Sequence, residues 1–213
     1  MSLAVTSVLP PTDDTYIDSA APGAVYNYDP FDKTLHADYS YIGPYYRHSL
    51  LKFDLQAIPA DAVISSATLH MFCLPTSDEH TFLYGNAHDG WSEAATSWSS
   101  FESYLPGSTL IGDAHAFAPF AGEQWIQWDI NLASWNSVLD LADGFLTLVL
   151  KGDVSDLNYS IGSSLCSKEY LSVGGQPYVP HLDIRWTPEP ATGLGLLTIV
   201  SLMTAWRYRG VRP

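Results

Sequence analysis

Positive charge is scarce in this chain of 213 residues. Lys and Arg total 9 against 23 Asp and Glu, which gives a formal net charge of -14. Three arginines lie in the last seven positions, so residues 1–186 carry only six basic residues against 22 acidic ones, a balance of -16. Nucleic-acid binding relies on clustered Lys and Arg that neutralise phosphates. We therefore expect no nucleic-acid partner.

Cysteine is also scarce, with Cys73 and Cys166 as the only two. Two cysteines allow one disulfide and provide no zinc site. An exported protein could form the disulfide, whereas the position of Cys73 on the buried side of a predicted strand is at least as compatible with a thiol in the core. Both alternatives remain open at this stage.

Catalytic motifs are missing as well. The chain has seven histidines but no H-E-x-x-H motif, no comparable pairing and no G-x-S-x-G motif. Its carboxylates are so numerous that a pair at glycosidase distance would have no diagnostic value. The sequence predicts that the protein is not an enzyme and that most histidines are solvated, with His70 and His181 on outward strand positions. The full set is His36, His48, His70, His80, His88, His115 and His181.

Alternating hydrophobicity is the main structural signal. It occurs in residues 49–55, 63–73, 125–130, 145–151 and 181–186. In the third segment Ile126, Trp128 and Ile130 share one side, opposite Trp125, Gln127 and Asp129. Such strands, with Pro- and Gly-bearing connections, are typical of antiparallel sheets with one buried face. The sequence predicts an all-β protein, an antiparallel β-sandwich of jelly-roll type.

One short helix is predicted at residues 131–141. Asn131 can cap its first turn, apolar residues recur at helical spacing, and Asp143-Gly144 ends it.

The C-terminus contains the only long apolar run. Residues 191–206 are sixteen positions without charge, followed by Arg207, Arg209 and Arg212. As a helix this run would extend roughly 24 Å, somewhat short of the ~30 Å of a bilayer core, so it is a marginal span. We predict a C-terminal transmembrane helix, with a buried C-terminal helix as the alternative. The basic end would stay in the cytoplasm, so residues 1–186 would face outward.

Pro188-Glu189-Pro190, the apolar span and the basic end with Arg207 and Arg209 occur in fixed order. This arrangement resembles the PEP-CTERM sorting signal of Gram-negative envelope proteins. The resemblance implies processing by an exosortase-type protease, anchoring in the membrane through residues 191–206 before processing, and a location in the cell envelope, at the cell surface or in an exopolysaccharide matrix. It divides the chain into a domain of residues 1–186 and a sorting segment of residues 187–213.

Export also requires an N-terminal signal. The first fourteen residues contain no Lys or Arg and only a few consecutive apolar residues. We expect that the start of the chain is assigned too late, or that the sequence has been trimmed, and we favour the first explanation.

A second resemblance covers roughly residues 3–186. Its first half is carried by residues 14–17, 27–28, 47–55, 58–59 and 64–69, and its second half by residues 91–98, 128–130, 135, 144, 167–169, 177–178 and 182–184. In this order they resemble the DNRLRE domain. The residues of the family's structural motif are Arg47, Phe53, Asp54, Trp91, Glu93, Trp98, Asp129, Trp135 and Glu169.

The DNRLRE resemblance implies a β-sandwich in a secreted protein. Domains of this family often lie beside polysaccharide-degrading modules. Some of them act as carbohydrate-binding modules, including for alginate. Two positions depart from the family pattern: Asp29 stands where glycine is usual, and Lys168 replaces a usual arginine.

Two aromatic groups are candidate binding residues. The indoles of Trp91 and Trp98 could stack on sugar rings, although a structural corner in which Glu93 accepts backbone hydrogen bonds is the preferred interpretation. Residues 26–46 are the better candidate, because they hold six of the thirteen tyrosines and tyrosine offers a stacking face with a polar tip. The alternative is a loop that covers a sheet edge. The six are Tyr26, Tyr28, Tyr39, Tyr41, Tyr45 and Tyr46.

A structural Ca²⁺ ion is a further hypothesis, because aspartates are abundant near the N-terminus and supply the hard oxygen ligands that Ca²⁺ takes. Asp14 and Asp18 are weak candidates, and no EF-hand spacing is present. A polyanion such as alginate would be repelled by the acidic domain unless Ca²⁺ bridged the two.

Together these features predict a non-catalytic, exported protein that contacts extracellular polysaccharide. The alternatives are a structural or adhesion protein with a protein partner and, less favoured, a polysaccharide hydrolase or lyase.

Overall fold

The computed structural model describes residues 3–26, 33–40, 45–74, 79–116, 124–135, 143–152, 161–170 and 177–189. Within them the chain forms eleven strands and two short α-helices. The strands are β1 Val5–Leu9, β2 Asp13–Asp18, β3 Thr34–Ser40, β4 Tyr45–Asp54, β5 Val63–Cys73, β6 Glu79–Asn86, β7 Thr109–Ala116, β8 Gln124–Asp129, β9 Phe145–Gly152, β10 Ile161–Cys166 and β11 His181–Thr187. The helices are α1 Trp98–Phe101, followed by a 3-10 helix over Glu102–Gly107, and α2 Leu132–Trp135.

The first sheet is built around β4 and β9. Its strand order is β2-β4-β9-β6-β7, and every pair is antiparallel. The register places Leu51 of β4 opposite Leu148 of β9, so apolar residues of the two strands share one face.

The second sheet is built around β5, the longest strand. β11 pairs with β5 along one edge and with β1 on its far side, while β8 pairs with the other edge of β5. The β10-β3 pair continues the hydrogen bonding from Cys73 at the end of β5 to the start of β4, so it joins the two sheets.

The main core lies between the two sheets. Leu51 and Phe53 from the first sheet and Leu69, Met71 and Trp128 from the second belong to one cluster of buried residues. An all-β antiparallel sandwich is therefore confirmed. The jelly-roll type of its connections stays a prediction.

A second, smaller core covers the outer face of the first sheet. Ile17, Leu50 and Val149 point away from the main core and pack with Trp91 and Phe101. The last two residues come from the long connection between β6 and β7, which folds back over the sheet. Both faces of β4 and β9 are consequently buried along part of their length.

The predicted helix begins where expected. The Asn131 carboxamide oxygen accepts hydrogen bonds from the backbone N–H groups of Ala133 (3.0 Å) and Ser134 (3.4 Å), and α2 follows. Residues 136–141 of the predicted helix lie outside the described part of the chain. The sequence did not predict α1, a single turn in the connection between β6 and β7.

The predicted alternation of β5 is wrong at its first residues. Strict alternation over residues 63–73 predicts Val63 on the same buried side as Cys73, but Val63 is 51% exposed, and Ile64 packs against the core in its place. The cause is a register shift, because Arg185 pairs with Ser66 while Trp186 pairs with Ile64. One extra residue in β5 therefore reverses which side chains point inward.

Cys73 and Cys166 are both buried thiols, not a disulfide. Cys73 lies opposite Leu165 across the β5-β10 pair, so those two side chains share the core face. Cys166 is the next residue along β10 and points to the other face. Side chains that point to opposite faces cannot adopt the geometry of a disulfide. Of the two alternatives that the sequence left open, the thiol in the core is therefore the correct one for Cys73.

Within the described residues, no helix is long and apolar enough to cross a membrane. The predicted span at residues 191–206, together with Pro190, Arg207 and Arg209, lies outside them. Pro188 and Glu189 are exposed and follow directly after β11.

Candidate functional site

The outer face of the second sheet carries exposed aromatic and polar side chains. Along β8, Ile126 and Trp128 are buried while Trp125, Gln127 and Asp129 are exposed, as the alternation predicts. Neighbouring strands add side chains to the same surface, because the register aligns Phe72 with Trp125 and His70 with both Gln127 and His181. We call this surface the Trp125 face; it comprises His70, Phe72, Trp125, Gln127, Asp129, Tyr178, His181 and Asp183.

Trp125 is supported by other rings. Its side chain is 45% exposed, and its ring meets Phe72 edge-on at a centroid distance of 5.5 Å. Phe72 in turn stacks on Tyr178 at 3.8 Å with an interplanar angle of 4°. The ring of His181 lies 5.3 Å from Trp125 on another side. These contacts hold the indole in one orientation while leaving part of it open to solvent.

Hydrogen-bonding groups surround the aromatic cluster. The Thr68 hydroxyl donates to the Asp129 carboxylate at 3.1 Å. His70 stacks on His181 at 4.7 Å, and its Nε2 lies 3.6 Å from the Asp183 carboxylate. Burial lowers the pKa of His70 and the neighbouring His181 lowers it further, against the opposing effect of Asp183. His70 is therefore neutral near pH 7.

Four of the six tyrosines predicted as binding residues are described, and they do not all lie on one face. Tyr39 and Tyr46 face each other across the β3-β4 pair, with ring centroids 4.9 Å apart. Tyr45 points to the opposite side of β4, where the Arg47 guanidinium lies 5.6 Å from its ring centre. Tyr26 stacks on Tyr16 instead, at 4.1 Å. Tyr28 and Tyr41 lie outside the described residues.

Tyr46 belongs to a second aromatic group beside the smaller core. It is 37% exposed and lies 6.4 Å from Trp98 and 6.0 Å from His48. His48 is only 8% exposed, contrary to the expectation that histidines are solvated. Burial lowers the pKa of His48 to about 3, and the Lys151 ammonium adds to the effect. This histidine is neutral and structural at physiological pH.

Trp91 forms a buried corner over β9. Its indole N–H donates to the Thr147 hydroxyl at 2.8 Å, and the Thr147 hydroxyl donates to Asp89. The adjoining cavity measures about 240 Å³ and is lined in part by Trp91 and Phe101. Ligand pockets usually span roughly 300–1,000 Å³. This arrangement agrees with the structural interpretation of Trp91 rather than with a sugar platform.

Asp14 lies at the centre of a charged cluster that joins three parts of the chain. Its carboxylate accepts the backbone N–H of Lys168 at 2.7 Å, and its own backbone N–H donates to Glu93 at 3.2 Å. The Lys168 ammonium lies 3.5 Å from Asp14 and 2.5 Å from Glu169, and it also contacts Glu93. Burial raises the pKa of Asp14 to about 7, although the charge of Lys168 opposes this rise.

The Lys168 ammonium affects whether the cluster around Asp14 can bind a metal ion. Asp14, Glu93 and Glu169 bring carboxylate oxygens close enough together to hold a cation. The Lys168 ammonium already lies among them and neutralises part of their charge. Asp18 lies four residues further along β2, roughly 13 Å away at about 3.3 Å per residue, and its carboxylate accepts the Ala20 backbone N–H at 2.7 Å. Asp14 and Asp18 therefore do not share one site, and the Ca²⁺ hypothesis stays a prediction.

The other residues of the family motif have structural contacts. Arg47 binds Asp38 through two hydrogen-bonded contacts of 2.8 and 2.5 Å. Asp54 accepts the Gln56 backbone N–H at 2.8 Å, and the Trp98 indole N–H donates to Glu102 at 2.7 Å. Phe53 and Trp135 are fully buried in the main core.

The model of carbohydrate-binding module family 96 matches residues 5–170. The chain belongs to this family. No individual curated protein is significantly similar to it. Within the described residues the Trp125 face has the most exposed large aromatic side chain.

Sequence reasoning identified the parts of the Trp125 face but not their combination. Alternation placed Trp125, Gln127 and Asp129 on the outward side of a strand whose other side is fully apolar. The signal available in the sequence was a tryptophan on the outward side of a strand, where a large aromatic side chain can serve as a binding residue. The assembly with Phe72, Tyr178 and His181 depends on strand order, which the alternation does not reveal.

Proposed function

We propose that this protein binds polysaccharide without cleaving it, and that the Trp125 face is the binding surface. Membership of a carbohydrate-binding module family supports the ligand class. The choice of surface rests on one observation: Trp125 is 45% exposed on the outer face of the second sheet.

The ring contacts around Trp125 suit stacking on a sugar. Pyranose rings present apolar C–H surfaces that pack on the face of an indole. Because Phe72 and His181 already restrict the orientation of Trp125, binding would cost little additional side-chain entropy. A preorganised aromatic surface of this kind favours binding of a polymer whose repeating sugar rings present flat faces.

The polar side chains around Trp125 would orient the ligand. Gln127 is exposed two residues along β8, and Asp129 and Asp183 offer carboxylate acceptors on the same face. Sugar hydroxyls donate and accept hydrogen bonds, so a few fixed polar groups beside a stacking ring provide specificity. The formal charge of -14 favours a neutral polymer over an acidic one.

Retention of the full chain on insoluble polysaccharides tests the proposal. The panel contains neutral and acidic polymers, each with Ca²⁺ and with a chelator. We expect retention on at least one neutral polymer, and at least a tenfold loss of affinity in Trp125→Ala, since about 1.4 kcal/mol of lost stacking corresponds to tenfold.

Tyr46→Ala is the matched control, because Tyr46 is also an exposed aromatic residue but lies on the first sheet. It should bind as the unmodified protein does. Loss of binding in Tyr46→Ala with full binding in Trp125→Ala would move the site to the tyrosine-rich surface. Retention on no polymer would favour a structural or adhesion role, and release of reducing ends would indicate a hydrolase or lyase.

Export and sorting to the cell surface form the second part of the proposal. The support is the order of Pro188-Glu189-Pro190, the apolar run and the terminal arginines. Cell fractionation of the unmodified chain and of a variant with Pro188→Ala and Glu189→Ala tests it. We expect the variant to accumulate unprocessed in the membrane fraction, and identical processing of the two chains would contradict the sorting role.

A further inference from the structure

Two histidines and one aspartate converge at one end of the Trp125 face. His70 on β5 and His181 on β11 are directly opposite each other in the antiparallel register. Their rings stack with centroids 4.7 Å apart and an interplanar angle of 12°. Asp183 lies two residues along β11 on the same face, and one ligand atom from each of the three residues lies within 4.8 Å of the other two.

The donor set is typical of a transition-metal site. Imidazole nitrogen combined with carboxylate oxygen suits Zn²⁺ and related ions, whereas Ca²⁺ and Mg²⁺ prefer oxygen alone. Ligand atoms at about 2.0–2.1 Å from a tetrahedral ion lie roughly 3.4 Å from one another. The separation of 3.6 Å between His70 Nε2 and the Asp183 carboxylate is already near that value.

Hydrogen bonding prepares His181 as a ligand. Its Nδ1 lies 3.3 Å from the carbonyl oxygen of Val179. A carbonyl can only accept, so this contact requires the proton on Nδ1 and leaves the lone pair on Nε2. Histidines that bind metals usually have their second nitrogen fixed in this way.

Asp183 provides an independent indication. Its Oδ1 atom is buried and has no hydrogen-bond partner among the described residues. A buried carboxylate oxygen without a partner is unfavourable, and binding of a water or an ion is one of the recognised explanations for such an atom. The oxygen near His70 is the other one, Oδ2, and a cation held by both carboxylate oxygens would remove the cost at Oδ1.

We propose that His70, His181 and Asp183 bind one divalent transition-metal ion of the Zn²⁺ class on the outer face of the second sheet. Three protein ligands leave at least one coordination position for water or another oxygen ligand. Since the ring of His181 contacts Trp125, the ion lies at the edge of the Trp125 face. The metal site shares these three residues with the Trp125 face, but it does not require the proposed polysaccharide binding and is tested without a saccharide.

Calorimetric titration of the chelator-treated full chain with Zn²⁺ tests the site. We expect one saturable site of micromolar or better affinity, and at least a tenfold loss of affinity in His70→Gln, His181→Gln and Asp183→Asn. His88→Gln is the control, because His88 stacks on Tyr104 in the connection between β6 and β7, and it should bind Zn²⁺ as the unmodified chain does.

Thermal unfolding gives a second readout that does not depend on calorimetry. Zn²⁺ should raise the Tm of the unmodified chain and of His88→Gln but not of Asp183→Asn, a substitution that preserves side-chain shape. The circular dichroism spectrum shows whether each variant is folded. The proposal would be overturned if the unmodified chain showed no saturable binding, or if all three site variants bound Zn²⁺ as tightly as the unmodified chain.

Discussion

The carboxylate of Asp14 accepts the backbone N–H of Lys168 at 2.7 Å, although 154 residues separate them in the chain. The bond ties β2, an edge strand of the first sheet, to the segment that follows β10. Glu93 extends the link, because it accepts the backbone N–H of Asp14 and contacts the Lys168 ammonium. Burial alone would lower the pKa of Lys168, but Asp14, Glu169 and Glu93 together raise it above its usual range. This lysine therefore remains charged wherever the protein is folded near neutral pH.

Two substitutions at Asp14 separate its charge from its hydrogen bond. Asn keeps an oxygen that can accept the Lys168 N–H, whereas Ala removes it and leaves a buried donor without a partner. We expect Asp14→Asn to lower the free energy of unfolding by about 1 kcal/mol and Asp14→Ala by about 3 kcal/mol. Urea denaturation at pH 7 measures both. Equal losses would show that the backbone hydrogen bond contributes nothing.

His48 should make the protein sensitive to acid. Burial lowers its pKa from 6.5 to about 3, so the folded state binds this proton less readily than the unfolded state. A lowered pKa of this kind stabilises the protein above pH 6.5, and the stabilisation is lost as the pH falls from 6.5 toward 3. At pH 4.5, two units below the unfolded value, the loss is about 2–3 kcal/mol.

Comparison with His48→Gln isolates this effect. Gln does not titrate, so the free energy of unfolding of the variant should fall by about 2–3 kcal/mol less than that of the unmodified chain between pH 7 and pH 4.5. Urea denaturation at the two pH values provides the measurement. Parallel pH profiles would mean that His48 is protonated at pH 4.5 in the folded protein as well as in the unfolded one.

β9 shows how far the sequence predicts the fold. The alternation of residues 145–151 predicts Leu146, Leu148 and Leu150 on one buried side, and all three lie in the main core. It did not predict that Thr147 and Val149 on the opposite face are also fully buried. That face is covered by the connection between β6 and β7, and the Trp91 indole N–H in this connection donates a hydrogen bond to Thr147. A local pattern reports one buried face, whereas the second layer arises from contacts distant in sequence.

The Trp125 face likewise combines features that local alternation predicts with features that depend on strand pairing. Trp125 and the outward positions of His70 and His181 follow from alternation within single strands. Their proximity follows from the pairing of β5 with both β8 and β11, which sequence periodicity does not specify. The tyrosine-rich segment stays a prediction as a binding surface, but its described tyrosines do not all share one face. Tyr45 and Tyr46 are adjacent in a strand, and adjacent strand residues point to opposite faces.

Two buried tryptophans should respond differently to the loss of the indole N–H. Trp128 donates to the Thr81 carbonyl at 2.9 Å, whereas Trp135 Nε1 is buried without a hydrogen-bond partner in the described part of the chain. Phe at either position loses similar packing, but only Trp128→Phe also removes a hydrogen bond. We expect Trp128→Phe to cost about 1 kcal/mol more than Trp135→Phe in urea denaturation. A larger loss in Trp135→Phe would contradict this assignment.

Gly144 is required by the turn that begins β9. Its φ angle is 78°, in the left-handed region, and an added Cβ would lie 2.8 Å from Cγ of Gln56. Its carbonyl also accepts the Leu55 backbone N–H at 2.7 Å, so the turn cannot shift without losing that bond. We expect Gly144→Ala to lower the free energy of unfolding by about 1–3 kcal/mol, since both the backbone strain and the clash oppose it. Gly23→Ala is the control, because an added Cβ there meets nothing within 4 Å, and it should change stability by less than about 0.5 kcal/mol. If urea denaturation gave equal effects for the two substitutions, the positive φ of Gly144 would not be a requirement of the fold.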